Sequence, residues 1–307
     1  MDLVTGRTLA FAQLIRLPNV FTAFSDILVG ACAVGSVGEG PLLPRLFLLL
    51  TASGLLYLSG MAWNDYFDRA EDAKTRPNRP IPSGRITPAK ARIIALLLMF
   101  AGVLAAGLAT SLGEAPLLSA SSRNIAIALA GAILLYDRIL KLTPIGPVGM
   151  GTCRFLNVLL GFSLAGNVFD SIPLLVAAIV GLYIVGVTWF ARTEEGTSRS
   201  SHLMGAAGIM SAALVLALAL PVWYPPGHVT PLYPYLLIAF AVWIGIPIGR
   251  AIRESNSKHV QIAVKRCILG LVLLDAVLAT LFVGPVGLFI GLLLIPAQWL
   301  GKWVYST

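Results

Sequence analysis

The stretch Asn64-Asp65-Tyr66-Phe67-Asp68-Arg69-Ala70-Glu71-Asp72 follows an apolar run at 43–63 and precedes a basic segment from Lys74 to Arg92. Its three aspartates fall at i, i+3 and i+7, which on a helix puts all three carboxylates on one face. Converging carboxylates at the mouth of a membrane helix are costly unless a cation sits between them. A hard divalent cation such as Mg²⁺ takes oxygen ligands and commonly joins carboxylates to phosphates. The spacing therefore predicts half of a metal–pyrophosphate site, with Asp65, Asp68 and Asp72 as the ligands.

The rest of the chain sets this run in a membrane. Hydrophobic residues make up 57% of the 307 residues and charged residues 12%, against about 25% charged in a soluble domain. Mean hydropathy is +0.86. Apolar segments lie near 10–36, 43–64, 88–112, 117–136, 145–166, 172–191, 202–222, 232–250, 259–282 and 284–303. Each is close to the roughly 20 residues that a spanning helix needs. The first carries Pro18 and Asp26 and is long enough to be broken, and only Gly284-Pro285 separates the last two. The expectation is an all-α polytopic bundle of nine or ten transmembrane helices, organised as one domain over residues 1–307.

Arg7 and Arg16 precede a full-length apolar segment, and no small-residue cleavage site ends a short one, so no removable signal is expected. Cys32, Cys153 and Cys267 lie in or near apolar segments without metal spacing and read as buried free thiols.

Charge distribution predicts the topology. Of the 22 Lys and Arg residues, all but Arg45, Arg123, Arg154 and Lys302 fall at the N-terminus or in the loops after the second, fourth, sixth and eighth segments. The positive-inside rule makes that side cytoplasmic. The expected location is the cytoplasmic (inner) membrane, with the acidic run on its cytoplasmic face. The net charge of +8 then reflects topology and anion binding. No aromatic-basic motif points to nucleic acid.

After the acidic run comes Lys74-Thr75-Arg76-Pro77-Asn78-Arg79-Pro80-Ile81-Pro82-Ser83-Gly84-Arg85. Its prolines resist helix and favour an extended, rigid loop. Lys74, Arg79 and Arg85 are candidates to clamp phosphate oxygens. The same cations also satisfy the positive-inside rule without any ligand.

Asn-Asp-x-x-Asp-x-x-x-Asp, with Arg-Pro-x-Pro-Ser-Gly after it, resembles the UbiA superfamily of intramembrane prenyltransferases. Asn64, Asp65, Asp68 and Asp72 match its first aspartate-rich motif without a gap, and Arg79, Pro80, Ser83 and Gly84 match the segment after that motif. Tyr136-Asp137-Arg138-Ile139-Leu140-Lys141 resembles the family's tyrosine–lysine segment. Arg16-Leu17-Pro18-Asn19 and the later loop look most like the EboC-type branch.

The resemblance implies a helical bundle around a central cavity. It implies a polyprenyl diphosphate bridged by Mg²⁺ to two acidic motifs, and prenyl transfer to a lipophilic or aromatic acceptor inside the bilayer. It makes Asn64 and the three aspartates the catalytic set and places Tyr136 and Lys141 at the substrate. Tyr136 reads equally as an interfacial aromatic, and Lys141 as an i, i+4 partner of Asp137.

Within the apolar segments, Arg154 with Asn157 one turn later is a candidate to reach pyrophosphate or acceptor, or to pair with a buried carboxylate. Asn19 and Asp26 are candidates to border the substrate cavity, or to bond between helices.

The family's second motif usually carries aspartates. Here the corresponding loop reads Arg192-Thr193-Glu194-Glu195-Gly196-Thr197-Ser198-Arg199. Glu194 and Glu195 are the candidate metal ligands. As neighbours they point about 100° apart on a helix and do not share a face as the triad does. Two functions fit these residues: a Mg²⁺-dependent prenyltransferase, or a non-catalytic relative that binds an isoprenoid or lipophilic metabolite within a biosynthesis or export assembly. A transporter would need a midplane site, whereas the acidic residues cluster at one end.

Overall fold

The computed structural model describes residues 3–34, 42–112, 121–164, 167–192, 200–223 and 230–304. Among these the chain is helical, without strands. The helices are α1 (Leu3–Leu14), α2 (Phe21–Ala33), α3 (Leu43–Thr75), α4 (Pro88–Ser111), α5 (Ser122–Arg138), α6 (Gly146–Phe162), α7 (Ser171–Ala191), α8 (Ser200–Ala219), α9 (Tyr233–Glu254), α10 (Ser257–Val283) and α11 (Leu294–Gly301). Several starts follow from local chemistry. The side chains of Thr87, Ser121 and Asn256 accept from backbone N–H groups at the starts of α4, α5 and α10, and Pro88 occupies the first turn of α4.

Six helical stretches among the described residues are long and apolar enough to cross a membrane, or seven when α1 and α2, bent by 41°, count as one span. This is fewer than the nine or ten anticipated. α5 and α6, with 17 residues each, sit at the lower limit of spanning length. The last two anticipated segments pass together as one stretch, Ser257–Gly301, but the chain reverses within it. Gly284 has φ +63°, and a Cβ on Gly287 would stand 2.6 Å from the Ala279 carbonyl carbon and the Thr280 nitrogen. The Gly284–Leu293 arm therefore runs back along α10, and α11 packs on the Leu17–Val20 turn near the start of the chain.

α2, α3, α5, α6, α7 and α10 surround the centre: α2 packs on α3, α6 and α10, α5 on α3 and α6, and α7 on α6 and α10. Glycines permit a close crossing of α2 and α6. A Cβ on Gly30 of α2 would stand 2.5 Å from Phe162 N of α6, and one on Gly161 would stand 2.7 Å from the Ile27 carbonyl oxygen. Backbone contact of this kind is how helices pack without hydrophobic drive from lipid. It sets Asp26 of α2 against Arg154 and Asn157 of α6.

The outer surface is apolar. Phe47, Leu97, Phe100, Val215 and Phe289 are all exposed, as a hydrocarbon surround requires. The 33 residues of α3 span about 50 Å, well beyond the roughly 30 Å hydrocarbon core. One end of α3 must therefore project, and its C-terminal end carries the acidic run.

Candidate functional site

The helical phase of α3 does bring the triad to one side, and three cations of the chain meet its carboxylates. Arg16 Nη2 donates to Asp65 Oδ1 at 3.1 Å, and Arg79 Nη1 lies 3.5 Å from the same oxygen. Arg79 Nη1 also donates to Asp72 Oδ2 at 2.7 Å. Lys141 Nζ is 2.5 Å from Asp68 Oδ1. Asp65, Asp72 and Arg79 are buried, whereas the Asp68 side chain is 30% exposed.

These cations come from three separate segments. Arg16 stands between α1 and α2 with φ 46° and ψ 50°, a left-handed conformation costly for a residue with a Cβ. The strain is held by the adjoining Leu17–Val20 turn, where Asn19 N donates to the Arg16 carbonyl. The guanidinium is thereby aimed at Asn64 Oδ1 and Asp65 Oδ1, each at 3.1 Å. Asn64 Nδ2 in turn donates to Asp137 Oδ1 of α5 at 3.2 Å. Arg16 and Asp137 are site residues that motif reading left out. The signal for Arg16 was its position beside Pro18, where the first apolar segment breaks.

The loop that supplies Arg79 is not extended as expected. Residues 76–86 form successive hydrogen-bonded turns: Arg79 N to Arg76 O, Ser83 N to Arg79 O, Gly84 N to Ile81 O and Ile86 N to Pro80 O. The φ fixed by proline suits turns as well as extended chain, and burial of Ile81 and Ile86 selects the compact form. Gly84, at φ +75°, supplies the one left-handed position. Arg85 ties this loop together instead of facing the triad. It donates to Asn78 O, Ser83 Oγ and Gln13 Oε1. Lys74 is exposed and lines neither of the two cavities at the site. It comes nine residues after Asp65, half a turn out of phase.

Lys141 forms its close ion pair with Asp68, while its charge still acts on Asp137 at longer range. α5 ends at Arg138 and the chain turns through Leu140–Leu142, so an i, i+4 pair within one helix does not form. Arg192 holds this turn by donating to Thr143 O at 2.7 Å and Lys141 O at 2.5 Å.

The two cavities meet at Arg16. One, of about 480 Å³, is lined by Gln13, Arg16, Asp65 and residues 75–80. The other, of about 250 Å³, enters the bundle past Asp137 and Tyr136 and is walled by Met61, Leu129, Ile133, Met150, Ile184, Val187, Ile268 and Leu271. Its polar lining is Asn19, Ser53, Tyr57, Arg154, Asn157 and Thr188. Asp26, expected to border the cavity, lies fully buried behind it. It accepts from Arg154 Nη1 at 3.0 Å and from Asn157 Nδ2 at 2.8 Å, because a carboxylate inside a bundle needs a cation. Asn157 is also engaged by Ala23 O and Ser53 Oγ. Glu194 and Glu195 lie outside the described residues.

Among the described residues no three carboxylate, imidazole or thiol groups converge on one point. The donor set nonetheless suits Mg²⁺. It is made of carboxylate oxygens, and Arg79 shows that positive charge is accommodated between Asp65 and Asp72.

Residues 24–266 match the UbiA prenyltransferase family. A digeranylgeranylglyceryl phosphate synthase of Methanothrix thermoacetophila is 37% identical over 123 residues, covering 39% of this chain and 43% of that protein. The first such relatives align over less than half of their own length. A solved structure of a digeranylgeranylglyceryl phosphate synthase superposes with a TM-score of 0.64 at 21% identity, covering 91% of this chain and 99% of that one. A UbiA homologue from Archaeoglobus fulgidus, solved with GPP and Mg²⁺, gives 0.61 at 13% identity, covering 88% and 99%. With its match spanning most of the chain and its helical fold shared with these structures, the protein belongs to the UbiA prenyltransferase family.

Proposed function

We propose that this protein transfers a prenyl group from a polyprenyl diphosphate to a lipophilic acceptor within the membrane, in a Mg²⁺-dependent reaction. The observation that carries the reading is the arrangement of Asp65, Asp68 and Asp72 with Arg16, Arg79 and Lys141, in which Arg16 also lines a largely apolar cavity that enters the bundle. Carboxylates for a metal and cations for phosphate oxygens are together, and beside them is space for a hydrocarbon tail. The names of the relatives and the GPP and Mg²⁺ in the Archaeoglobus fulgidus structure agree with it.

In this reading Asp65, Asp68 and Asp72 hold Mg²⁺, and Glu194 and Glu195 contribute a second acidic site. The metal supplies positive charge that stabilises the departing diphosphate. Arg16, Arg79 and Lys141 turn from the carboxylates to the phosphate oxygens and neutralise them as the allylic C–O bond breaks. Asn64, held between Arg16 and Asp137, keeps Arg16 in position. The apolar wall excludes water from the allylic cation. Residues 1–307 act as one domain, with the triad on the cytoplasmic face of the inner membrane.

A second reading, a non-catalytic isoprenoid-binding relative, rests on the aspartate-free loop at 192–199. Purified protein in lipid nanodiscs, given radiolabelled geranyl diphosphate with and without Mg²⁺ and a panel of lipophilic acceptors, separates the two. Labelled product that requires Mg²⁺ supports transfer. Mg²⁺-dependent binding without product from any acceptor favours the second reading, and no binding at all sinks both.

A further inference from the structure

The turn between α9 and α10 gathers positive charge that the candidate site does not use. Arg250 and Arg253 lie near the end of α9, and Lys258, Lys265 and Arg266 in the first three turns of α10. None of the five lines either cavity. Among the described residues none of them makes an ion pair with a carboxylate. Glu254 is the one acid between positions 250 and 266, and it meets His259 Nδ1 at 3.0 Å. The turn lies at the triad's end of the bundle. Lys141 pairs there with Asp68, Arg192 at the end of α7 donates to Lys141 O, and Ser200 Oγ at the start of α8 is 2.8 Å from Ser255 Oγ in the turn. The positive-inside rule accounts for cations at this end, but not for where they sit on the helices.

Helical phase puts them on the surface that faces lipid. Arg250 and Arg253 come four and seven residues after Ile246 and share its side of α9, opposite the buried Ile244, Ile248 and Ala251. On α10, Lys258 and Lys265 stand four residues before and three after Ile262, opposite the buried Val260, Val264 and Cys267. Ile246 and Ile262 are both exposed. Trp243 and Arg266 join the two stripes, with the guanidinium carbon 5.1 Å from the ring centroid. Lys265 and Arg266 are thus level with a tryptophan, an aromatic of the membrane–water interface, where a cation is costly unless it finds an anion. We propose that the α9–α10 turn binds an anionic phospholipid, its phosphate among Arg250, Arg253, Lys258 and Lys265 and its acyl chains along Trp243, Ile246 and Ile262. A soluble acidic partner would match the charges alone. A lipid matches both the charges and the apolar residues that continue each stripe into the bilayer, as basic segments beside transmembrane helices do with anionic headgroups.

The test is lipid competition in mixed micelles, with equimolar phosphatidylglycerol and phosphatidylcholine of the same acyl chains and the bound lipid counted by native mass spectrometry. Wild-type protein should retain phosphatidylglycerol over phosphatidylcholine by at least about tenfold. Arg250→Gln, Arg253→Gln, Lys258→Gln and Lys265→Gln made together should bring that ratio to within about twofold of parity. The control removes four exposed cations from other helix ends on the same side, Lys74, Lys90, Arg92 and Arg138, each changed to Gln, and should stay within about twofold of the wild-type ratio. No preference in the wild-type protein overturns the proposal. So does an equal loss in the two quadruple variants, which assigns the preference to overall positive charge. If the turn variant does not fold, wild-type protein photo-crosslinked to a phosphatidylglycerol with a diazirine in its acyl chain decides. Labelled peptides concentrated in residues 242–268 support the surface, and labelling spread evenly around the bundle overturns it.

Discussion

Arg79 places one nitrogen, Nη1, 2.7 Å from Asp72 and 3.5 Å from Asp65, so a single cation bridges the first and last carboxylates of the acidic run. With Arg16 on Asp65 and Lys141 on Asp68, each member of the triad is neutralised by the chain itself. A Mg²⁺–diphosphate complex brings the opposite charges in matched form: the metal for the carboxylates and the phosphates for the cations. Metal and diphosphate are therefore expected to bind together.

The partly exposed member of the triad is the cleanest probe of the metal role. Asp68→Asn removes one charge without burying a new polar group. Mg²⁺-dependent binding of geranyl diphosphate should weaken by at least about tenfold, with helix content by circular dichroism unchanged. Unaltered affinity in the presence of Mg²⁺ rejects Asp68 as a ligand.

Loss of the bridging cation should show in stability. Arg79→Met takes the bridging cation from Asp72 and leaves Asp65 with Arg16, a change of about 3–5 kcal/mol by analogy with broken buried ion pairs. Thermal unfolding should move down markedly, and millimolar Mg²⁺ should recover part of the loss, since a divalent ion replaces the missing charge. A variant that unfolds like wild type, or one that Mg²⁺ leaves untouched, contradicts the cation-site reading.

Helix crossing offers a control remote from the charges. A Cβ at Gly161 meets backbone atoms of Ile27, not a flexible side chain. Gly161→Ala should therefore part α2 from α6 and destabilise the protein by about 1–3 kcal/mol. The Arg154–Asp26 pair spans the same crossing. Gly208, with nothing near its Cβ position, should accept alanine without loss, and the two variants compared by thermal unfolding check the packing.

Sidedness follows from the charge distribution. Ser83 is exposed, and the three native cysteines are buried, so the background for thiol labelling is low. Ser83→Cys should react with a membrane-impermeant maleimide only after the cytoplasmic side is opened. Labelling in intact cells reverses the proposed topology.

The glutamate loop gives the remaining discriminator. Adjacent residues diverge by about 100° on a helix, so Glu194→Gln and Glu195→Gln should reduce Mg²⁺-dependent geranyl diphosphate binding unequally. Negligible effects from both single changes and from the double change remove the loop from the metal site and favour the non-catalytic reading.

The shared side of Asp65, Asp68 and Asp72 was legible because helical phase depends only on spacing along α3. The membrane setting was legible because hydropathy adds residue by residue. The compact loop was not, since proline permits turn and extended chain alike, and only burial of Ile81 and Ile86 chose between them. Proximity in sequence puts Lys74 and Arg85 beside the acidic run without putting them in contact with it. Phase turns the first away, and Gln13 with the loop backbone occupies the second.

By itself, then, the sequence determined an all-helical membrane chain with a carboxylate face at the end of one helix and cations close behind it. These are local properties. Only the tertiary structure decided that Arg16 rather than Lys74 reaches the triad, that Lys141 closes its ion pair on Asp68, and that Arg154 faces Asp26 across 128 residues of chain. Ion pairs between distant segments depend on where helices cross and where they end. Those points are set by Gly30 against Gly161, by the end of α5 at Arg138 and by the left-handed turn at Arg16, and each requires the packed bundle before it has a partner.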